Sequence, residues 1–323
     1  MAGQHDMVAL PHDHVVNFYD ADDDIVSAIR CFVADGLRGD DTVVVIATEA
    51  HRAAIDAALI RDGIDVAGAR SARRYVSIDA AATLTRVMVD SVPDESRVRA
   101  VFESLVAPDG DGGRPLRVFG EMVALLWDAD NVSAAIDLEA IWNVLAQERR
   151  FLLYCAYPSS ALADHDDLSA LGHLCRHHSR VIPPASYSSM STRTSGDDAT
   201  RQSQLFVPVA EAVRSARQFV ADTLKAWSHD ELMTDAAIVT SELASNAVRH
   251  ANSPFRVSLQ RHDACVEIAV HDVSPVLPLQ RHPHINEGSG RGLALIEHLS
   301  SEWGVAPSAD GKVVWSQLDR PAL

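Results

Sequence analysis

The pattern of apolar and polar positions divides the chain into two parts. In residues 1–183, short apolar runs such as HVVNFY (14–19) and DTVVVIAT (41–48) alternate with segments of helical spacing, for example 49–61. Short runs rich in β-branched residues and bounded by turn residues predict buried strands, and more are predicted at 73–78, 116–122 and 151–157. Strands that alternate with helices predict an α/β domain with a largely parallel sheet.

The second part has a different order of elements. Before it, residues 184–204 are rich in Ser, Thr and Asp and poor in large aliphatic residues, which is typical of a solvated linker. In residues 205–323 the pattern predicts helices at 208–227, 231–251 and 293–303 and strands at 255–261, 265–272 and 312–318. This order predicts an α+β sandwich, with helices on one face of a mixed sheet.

The charge of the chain limits the classes of partner that we expect it to bind. It has 28 basic and 45 acidic side chains, a formal net charge of −17, and no block of basic residues. Nucleic-acid binding is not expected, because phosphate contacts need clustered Lys and Arg. The same field favours a basic partner protein.

Cysteine usage and the N-terminal sequence predict a cytoplasmic protein. The cysteines are scattered and form no Cys-x-x-Cys pair, so we expect reduced thiols at Cys31, Cys155, Cys175 and Cys265. The N-terminus has no basic segment followed by an apolar one, and the longest apolar runs are too short to span a bilayer. We therefore expect no association with a membrane.

A polar stripe marks the helix predicted over 231–251. Glu242 and Asn246 lie one turn apart and share a face with other polar residues, namely Ser241, Ser245, Arg249 and His250. By itself, such a stripe is typical of a solvated helix face. Two features further along the chain favour a binding site instead.

The first feature is Asp272, the last residue of CVEIAVHD. Period-two counting places its carboxylate on the core side of the strand, where it needs a hydrogen-bond donor. Either the strand has ended and Asp272 opens a turn with Ser274 and Pro275, or the carboxylate accepts a hydrogen bond from a ligand amino group.

The second feature is EGSGRGLALIEHL (287–299), in which glycines lead into an apolar helix. Gly288, Gly290 and Gly292 let the backbone approach a ligand, and a helix N-terminus attracts phosphate. A mobile glycine loop also occurs without a ligand. This loop does not follow a strand, so it is not a dinucleotide-binding fingerprint, and the chain has no Walker A sequence.

In this order the motifs resemble the GHKL family of ATP-binding domains, which includes histidine kinases, gyrase-type ATPases and anti-sigma-factor serine/threonine kinases. The similarity is to the N box in Ser241-Glu242-Leu243-x-x-Asn246-Ala247, to the first G box in Asp272-x-Ser274, and to the lid glycines in Gly288-x-Gly290-Arg291-Gly292-Leu293. GKVVW (311–315) is similar to the final strand of the anti-sigma branch. The resemblance covers about residues 205–320 and implies the Bergerat ATP-binding fold.

The resemblance implies a role for each matching residue. Asn246 would coordinate Mg²⁺ on the ATP phosphates and Glu242 would be the general base, and their i, i+4 spacing brings the two side chains together. Asp272, with Ser274 beside it, would accept a hydrogen bond from the adenine amino group. The lid residues Gly288, Gly290, Arg291, Gly292 and Leu293 would complete the ATP site, although Arg291 can equally be a surface side chain.

Two departures from the family pattern bear on activity. The first G box reads DVSP, without the glycines of many kinases, and the segment from Asp272 to Gly288 is short, so ATP binding is better supported than efficient turnover. The second departure is that no phosphoacceptor domain is recognised before the ATPase-like part. His229, in SHDEL, lacks the following Arg and Pro and stands where a helix N-cap is expected. This disfavours a two-component histidine kinase.

The first part resembles the MEDS domain, a sensory module named for methanogens, methylotrophs and a dichloromethane regulator. HVVNFYDADDDIVSAIRCFVADGLRGDDTVVVIAT, RVFGEMVALLW and LLYCAYP carry the resemblance, which spans about residues 12–182. It implies a RecA-like or KaiC-like α/β layer without a phosphate loop, and sensing of a signal that the resemblance does not identify, for which a small molecule is the candidate. Because open α/β sheets bind ligands beyond the carboxyl ends of their strands, the candidates are His14, Tyr19, Glu121 and Tyr157, each with a structural role as the alternative.

The 15 histidines include the clusters PHDH (11–14), HLCRHH (173–178) and HPH (282–284). Their spacings match no familiar zinc-binding set, so we favour solvated histidines over a metal site.

The sequence therefore predicts a cytoplasmic regulator with a MEDS-like sensory domain (1–183), a linker (184–204) and an ATP-binding domain (205–323), and the resemblance implies a bacterial setting. The anti-sigma branch implies Mg-ATP, a sigma factor held inactive, phosphorylation of a serine on a STAS-type anti-anti-sigma antagonist, and a homodimer. Two alternatives stay open: a nucleotide-gated binding protein without kinase activity, and a sensor histidine kinase.

Overall fold

The computed structural model describes residues 13–106, 114–160, 168–184, 200–251, 253–276, 291–308 and 310–320. These residues form two compact units. The first contains the described residues of Met1–Ala161 and His177–Pro184, and the second contains those of Leu162–Arg176 and Ala185–Leu323. Within the described ranges, none of the helices combines the length and the apolar character that crossing a bilayer requires.

A parallel sheet forms the centre of the first unit. Its strands are β1 (His14–Tyr19), β2 (Thr42–Ala47), β3 (Tyr75–Asp79), β6 (Leu116–Gly120), β7 (Leu152–Pro158) and β8 (Arg180–Ile182), and a separate hairpin joins β4 (Met88–Val89) to β5 (Val92–Pro93). The order is β3-β2-β6-β7-β1-β8, with every neighbouring pair parallel. The predicted α/β layer with a largely parallel sheet is confirmed, whereas the likeness to RecA or KaiC stays a prediction.

Helices connect these strands, and their ends follow local sequence signals. They are α1 (Asp22–Arg38), α2 (Glu49–Arg61), α3 (Val66–Ser71), α4 (Ala80–Val87), α5 (Glu95–Leu105), α6 (Met122–Asp128) and α7 (Val132–Arg149). The side chains of Thr48 and Asp94 accept hydrogen bonds from backbone N–H groups in the first turns of α2 and α5. Three aspartates begin α1 and Arg38 ends it, which complements the helix dipole.

Helices cover both faces of this sheet, and so its strands are continuous apolar runs. On one face, β1 and β2 pack through Val15 and Val43 against apolar residues of α1 and α2. On the other face Tyr157 of β7 packs edge-on against Trp127 of α6 and donates a hydrogen bond to Glu139 of α7. All residues of β1 and β2 are buried, as expected for central strands of a parallel sheet.

The second unit is an antiparallel sheet with helices packed on it. Its strands are β9 (Arg201–Phe206), β10 (Phe255–Arg261), β11 (Cys265–Asp272), β12 (Glu302–Ser308) and β13 (Gly311–Asp319), in the order β12-β13-β11-β10-β9. Its helices are α8 (Leu168–His177, assigned to this unit through Arg176), α9 (Ala210–Ala226), α10 (Met233–Asn246) and α11 (Arg291–Leu299). Burial alternates along β10 and β11, so one face of the sheet forms the core with α9 and α10.

Four predictions need correction. The sheet of the second unit is antiparallel in all its described pairs rather than mixed, because consecutive strands such as β10 and β11 are joined by short turns. The helix predicted to reach Trp303 ends at Leu299. Residues 302–308 instead pair with β13, where Gly304 leaves room for the ring of Trp315.

The other two corrections concern segment ends. Strand β9 begins at Arg201, within the segment predicted as linker, because its backbone pairs with β10. The strand predicted over 116–122 ends at Gly120, and Met122 begins α6.

Candidate functional site

Helix α10 places Glu242 and Asn246 one turn apart near its end. Both side chains are half-buried, while Leu243 and Ala244 between them are buried in the core. The helix ends at Asn246 and the chain continues in a π-helical turn, Ala247–Ala251. π-helical turns are rare in proteins, and those that occur often lie at functional sites. The polar stripe is thus half-buried at Glu242 and Asn246, whereas a purely solvated helix face would be exposed there.

Gly292 in the first turn of α11 lies directly against Glu242. A Cβ atom built on Gly292 would collide with Oε2 of Glu242. The absence of a side chain at this position therefore lets α11 approach the carboxylate. The structure brings Glu242, from the motif that resembles an N box, close to Gly292, from the motif that resembles the lid glycines, although they lie far apart in sequence.

The other lid positions are described only in part. The backbone of Arg291 begins α11, and Leu293 is half-buried in the same helix. Gly288 and Gly290 lie outside the described residues.

Asp272 is buried at the end of β11, on the core side that its sequence position predicts. It is 3 % exposed, and its Oδ1 accepts hydrogen bonds from Nζ of Lys312 at 2.7 Å and from the backbone N–H of Ser274 at 2.9 Å. Asp272 therefore opens a turn with Ser274, as the first interpretation predicts, and a hydrogen bond to a ligand amino group stays a prediction.

Lys312 is a functional candidate that sequence reasoning missed. It is 6 % exposed and stands directly opposite Asp272 in the register of β11 and β13. Its Nζ also donates to the carbonyl oxygen of Ser274 at 3.2 Å. The alternation of side chains along a strand could have identified Lys312, because Lys312 shares the buried face of β13 with Val314 and Leu318.

Gly311, next to Lys312, allows the same strand to approach Asp272. A Cβ atom at residue 311 would collide with the carbonyl oxygen of Asp272 and would lie 2.6 Å from Cα of Val273. These are backbone atoms and cannot rotate away, so only glycine fits this position.

These residue types fit a magnesium-bound adenine nucleotide. A buried carboxylate such as Asp272 suits an amino group of the base, and the side-chain oxygens of Asn246 and Glu242 suit a hard cation such as Mg²⁺. The glycine at 292 leaves the backbone of α11 accessible to a close neighbour.

In the first unit, two of the predicted sensory candidates meet at the carboxyl ends of the strands. Glu121, just after β6, is 2 % exposed and accepts a hydrogen bond from the backbone N–H of Thr48 at 2.7 Å. Its other oxygen is bonded to Nδ1 of His51, whose ring lies edge-on to Tyr19 at 6.4 Å between centroids. Sequence reasoning missed His51, although it lies in the helix turn directly after β2.

The buried carboxylate changes the acid–base behaviour of its neighbours. Its hydrogen bond raises the pKa of His51, with a further contribution from its charge, against the opposing effect of burial. Burial, and then the charge of Glu121, raise the pKa of Tyr19. The Glu121–His51 pair therefore favours a protonated imidazole at this edge.

The other two sensory candidates, His14 and Tyr157, contact Glu139 instead, although Tyr157 lies near the carboxyl end of β7. His14 Nε2 is 3.2 Å from Glu139 Oε2, and the hydroxyl of Tyr157 donates to Glu139 Oε1 at 2.8 Å. His14 begins β1, so it stands at the opposite end of that strand from Tyr19. The expectation of solvated histidines is wrong for His14 and His178, which are 3 % and 8 % exposed. The cluster 282–284 lies outside the described residues.

His229 has the position of a helix start and is buried. It is 5 % exposed, precedes the 3₁₀ turn Asp230–Leu232, and has Nδ1 3.3 Å from Oε1 of Glu231. A phosphoacceptor needs access to a second active site, which this burial opposes.

Comparison with protein families gives two matches, which follow the two units except that the first match also includes Leu162–Arg176, which belong to the second unit. Residues 13–179, more than half of the chain, match the MEDS model, described as the methanogen/methylotroph, DcmR sensory domain. Residues 206–318 match the model of the histidine kinase-like ATPase domain. No curated protein matches the chain with significant similarity. A sensory domain joined to an ATPase-type domain indicates a regulatory ATP-binding protein, and the chain belongs to the MEDS family, with a histidine kinase-like ATPase domain fused after its sensory domain.

Proposed function

We propose that this protein is an anti-sigma regulator whose C-terminal domain binds Mg-ATP and phosphorylates a serine of a STAS-type anti-anti-sigma antagonist. The same domain holds a sigma factor inactive, and the MEDS domain controls it. The observation that supports this most is the contact of Glu242 with Gly292, which puts the candidate base beside a lid glycine in a histidine kinase-like ATPase domain.

Each side chain has a chemical task in this proposal. Glu242 accepts the proton of the serine hydroxyl as the hydroxyl attacks, and Asn246 gives its carboxamide oxygen to Mg²⁺. Bound ATP would supply the γ-phosphoryl group: a bond to the serine oxygen forms, the bond to the β,γ-bridging oxygen breaks, and ADP leaves. Asp272 accepts a hydrogen bond from the adenine amino group, while Lys312, whose Nζ lies 2.7 Å from Oδ1 of Asp272, holds that carboxylate in position.

The proposed partners follow from charge and from the branch that the motifs resemble. The net charge of −17 favours partners with basic contact surfaces. Phosphorylation of the antagonist adds negative charge and weakens its binding, so the sigma factor stays bound. A cytoplasmic location and a homodimer complete the proposal.

A second candidate is a nucleotide-gated binding protein without kinase activity. The DVSP sequence lacks glycines, and Oδ1 of Asp272 already accepts two hydrogen bonds within the protein. Both features are compatible with tight nucleotide binding and slow turnover. The histidine kinase has less support, because His229 is 5 % exposed.

Phosphoryl transfer from labelled ATP distinguishes these candidates. The wild-type protein, Glu242→Ala, Asn246→Ala and the control Glu211→Ala are incubated with Mg²⁺ and purified STAS-type antagonists; Glu211 is an exposed acid in the first turn of α9. We expect label on antagonist serine with the wild type and the control, and none with Glu242→Ala.

The other outcomes are equally informative. ATP binding by the wild type without transfer to any antagonist would favour the binding protein. Acid-labile label on the protein itself would favour the histidine kinase.

We also propose that the MEDS domain receives a small polar signal molecule beside Tyr19, His51 and Glu121. These residues lie where open α/β sheets bind ligands, and the pair of His51 and Glu121 offers both a donor and an acceptor. A thermal-shift screen of small polar molecules checks this. Ligands that stabilise the wild type and Glu121→Gln equally would refute it.

A further inference from the structure

Four metal-ligating side chains from different elements meet inside the first unit. They are His14 at the start of β1, Glu139 in α7, Cys155 in β7 and His178 just before β8. All four are buried, and one ligand atom of each lies within 4.8 Å of the others. The set of two imidazoles, a thiol and a carboxylate is a combination that zinc-class ions accept.

The distances within this cluster differ from those of charge-assisted hydrogen bonds. From Glu139 Oε2, His14 Nε2 lies at 3.2 Å and Cys155 Sγ at 3.5 Å, and Glu139 Oε1 lies 3.5 Å from His178 Nε2. A buried imidazolium–carboxylate pair contracts to about 2.7–2.9 Å. The two imidazole–carboxylate separations in this cluster are wider, although its carboxylate side chain is fully buried.

A tetrahedral ion accounts for the wider spacing. With bonds of about 2.0–2.3 Å, its ligand atoms are separated by about 3.3–3.8 Å, which is 1.63 times the bond length. The separations from Oε2 of Glu139, 3.2 Å to His14 Nε2 and 3.5 Å to Cys155 Sγ, agree with this within about a tenth of an ångström, and the 3.3 Å between His14 Nε2 and Cys155 Sγ is at the lower end of the range. His178 Nε2 lies 3.5 Å from the other carboxylate oxygen, Oε1, and the four ligand atoms lie within 4.8 Å of one another, so binding of an ion requires a small inward shift of the ligand atoms.

Hydrogen bonds around His14 fix which ring nitrogen faces the cluster. The carbonyl oxygen of His177 can only accept, and it lies 3.0 Å from Nδ1 of His14, so Nδ1 carries the proton. The same carbonyl accepts from the amide nitrogen of Asn143 at 2.9 Å, which turns the Asn143 oxygen toward Nδ1 at 2.8 Å. Nε2 is therefore the ring nitrogen that faces the carboxylate of Glu139 and the sulfur of Cys155.

This arrangement is the one that metal-binding histidines adopt. Their second nitrogen donates to a carbonyl or carboxylate, which sets the tautomer and the orientation of the ring. The carboxylate of Glu139 is held in a comparable way, by the hydroxyl of Tyr157 at 2.8 Å. Without a cation or a proton between them, the lone pair of His14 and the carboxylate oxygen would repel each other.

We propose that His14, Glu139, Cys155 and His178 form a closed, four-coordinate site for a divalent zinc-class ion in the MEDS domain. Because four protein ligands fill the coordination shell, the site is structural rather than hydrolytic. Cys155 binds as the thiolate, and its proton passes to solvent when the ion binds. The ion then joins β1, β7, α7 and the segment before β8, which also explains why a carboxylate is fully buried among these elements.

Metal analysis of the purified full-length protein tests the proposal. After dialysis against a weak chelator, we expect about one zinc ion per chain in the wild type. Cys155→Ser and His178→Gln should lose most of it, whereas Cys175→Ser, a buried cysteine outside the cluster, should keep it. A wild type that folds without zinc and gains no thermal stability from added Zn²⁺ overturns the proposal.

Spectroscopy of the wild type keeps the test valid when a variant fails to fold. X-ray absorption at the zinc edge should show one sulfur and three nitrogen or oxygen ligands, and the protein reloaded with Co²⁺ should show a thiolate-to-cobalt absorption band. A shell without sulfur, or with several sulfurs, contradicts the assignment. A cobalt band of unchanged intensity in Cys155→Ser does so as well.

Discussion

Lys312 Nζ lies 2.7 Å from Oδ1 of Asp272, and the two residues are 6 % and 3 % exposed. They stand opposite each other on strands β13 and β11, so this buried ion pair is built into the sheet of the ATPase-type domain. Each of these buried charges is stabilised by the other, because burial removes the water that would solvate either one alone.

Removal of one partner should therefore cost stability. We expect Lys312→Met to lower the free energy of unfolding by about 3–5 kcal/mol, since it leaves the carboxylate of Asp272 uncompensated. Denaturant unfolding measures this, with the exposed lysine variant Lys225→Met as the control. The double variant Asp272→Asn with Lys312→Met should recover much of the loss. Equal losses in the single and double variants would contradict the pairing.

Gly311→Ala and Gly292→Ala should differ in their effect on the free energy of unfolding, although both add one methyl group. At residue 311 the methyl meets backbone atoms of Asp272 and Val273, so we expect a loss of about 1–3 kcal/mol in unfolding free energy. At residue 292 it meets the mobile end of the Glu242 side chain, so stability should change little. If both variants unfold at the same denaturant concentration as the wild type, the close approach at residue 311 is wrong.

Gly292→Ala should act on catalysis instead. Rotation of Glu242 away from the methyl group misplaces the proposed base, so we expect phosphoryl transfer to fall about 10²-fold with little change in ATP affinity. Single-turnover transfer to the antagonist measures the rate, and a fluorescent nucleotide measures affinity. Gly120→Ala is the matched control, because a Cβ atom there meets nothing within 4 Å.

Glu242 and Asn246 should separate catalysis from binding. Loss of the proposed base in Glu242→Ala should lower the transfer rate by about 10²–10⁴-fold while Mg-ATP still binds. Asn246→Ala removes the proposed metal ligand and should weaken Mg-dependent nucleotide affinity. Calorimetric titration with Mg-ATP, compared with ATP alone, distinguishes the two. An unchanged Mg²⁺ dependence in Asn246→Ala would remove Asn246 from the metal site.

The pair of His51 and Glu121 predicts a pH-dependent stability. The hydrogen bond with Glu121 raises the folded pKa of His51 above its ordinary value of 6.5, so protonation favours the folded state. The stabilisation is fully present below about pH 6.5 and is lost as the pH rises through the raised folded pKa. Unfolding of the wild type and His51→Gln from about pH 5.5 to 8.5 should show a difference that shrinks toward high pH. A constant difference would contradict this.

The spacing of apolar residues and the residues typical of turns were sufficient to predict most helices and strands. The strands HVVNFY and TVVVIA and the helix from Glu49 to Arg61 appear where their patterns place them. Period two also placed Asp272 on the core side. Beyond Leu299 the pattern failed, because Trp303 fits a helical spacing, whereas backbone pairing with β13 decides its conformation.

The sequence by itself determined the two-part organisation, the strand and helix rhythms and the motif around Glu242 and Asn246, because all of these are encoded in short-range spacing. Only the tertiary structure decided that Lys312 faces Asp272, that His51 meets Glu121, and that His14, Glu139, Cys155 and His178 converge. These contacts join residues far apart in the chain. They depend on strand order and on the packing of helices over the sheet, which local spacing does not specify.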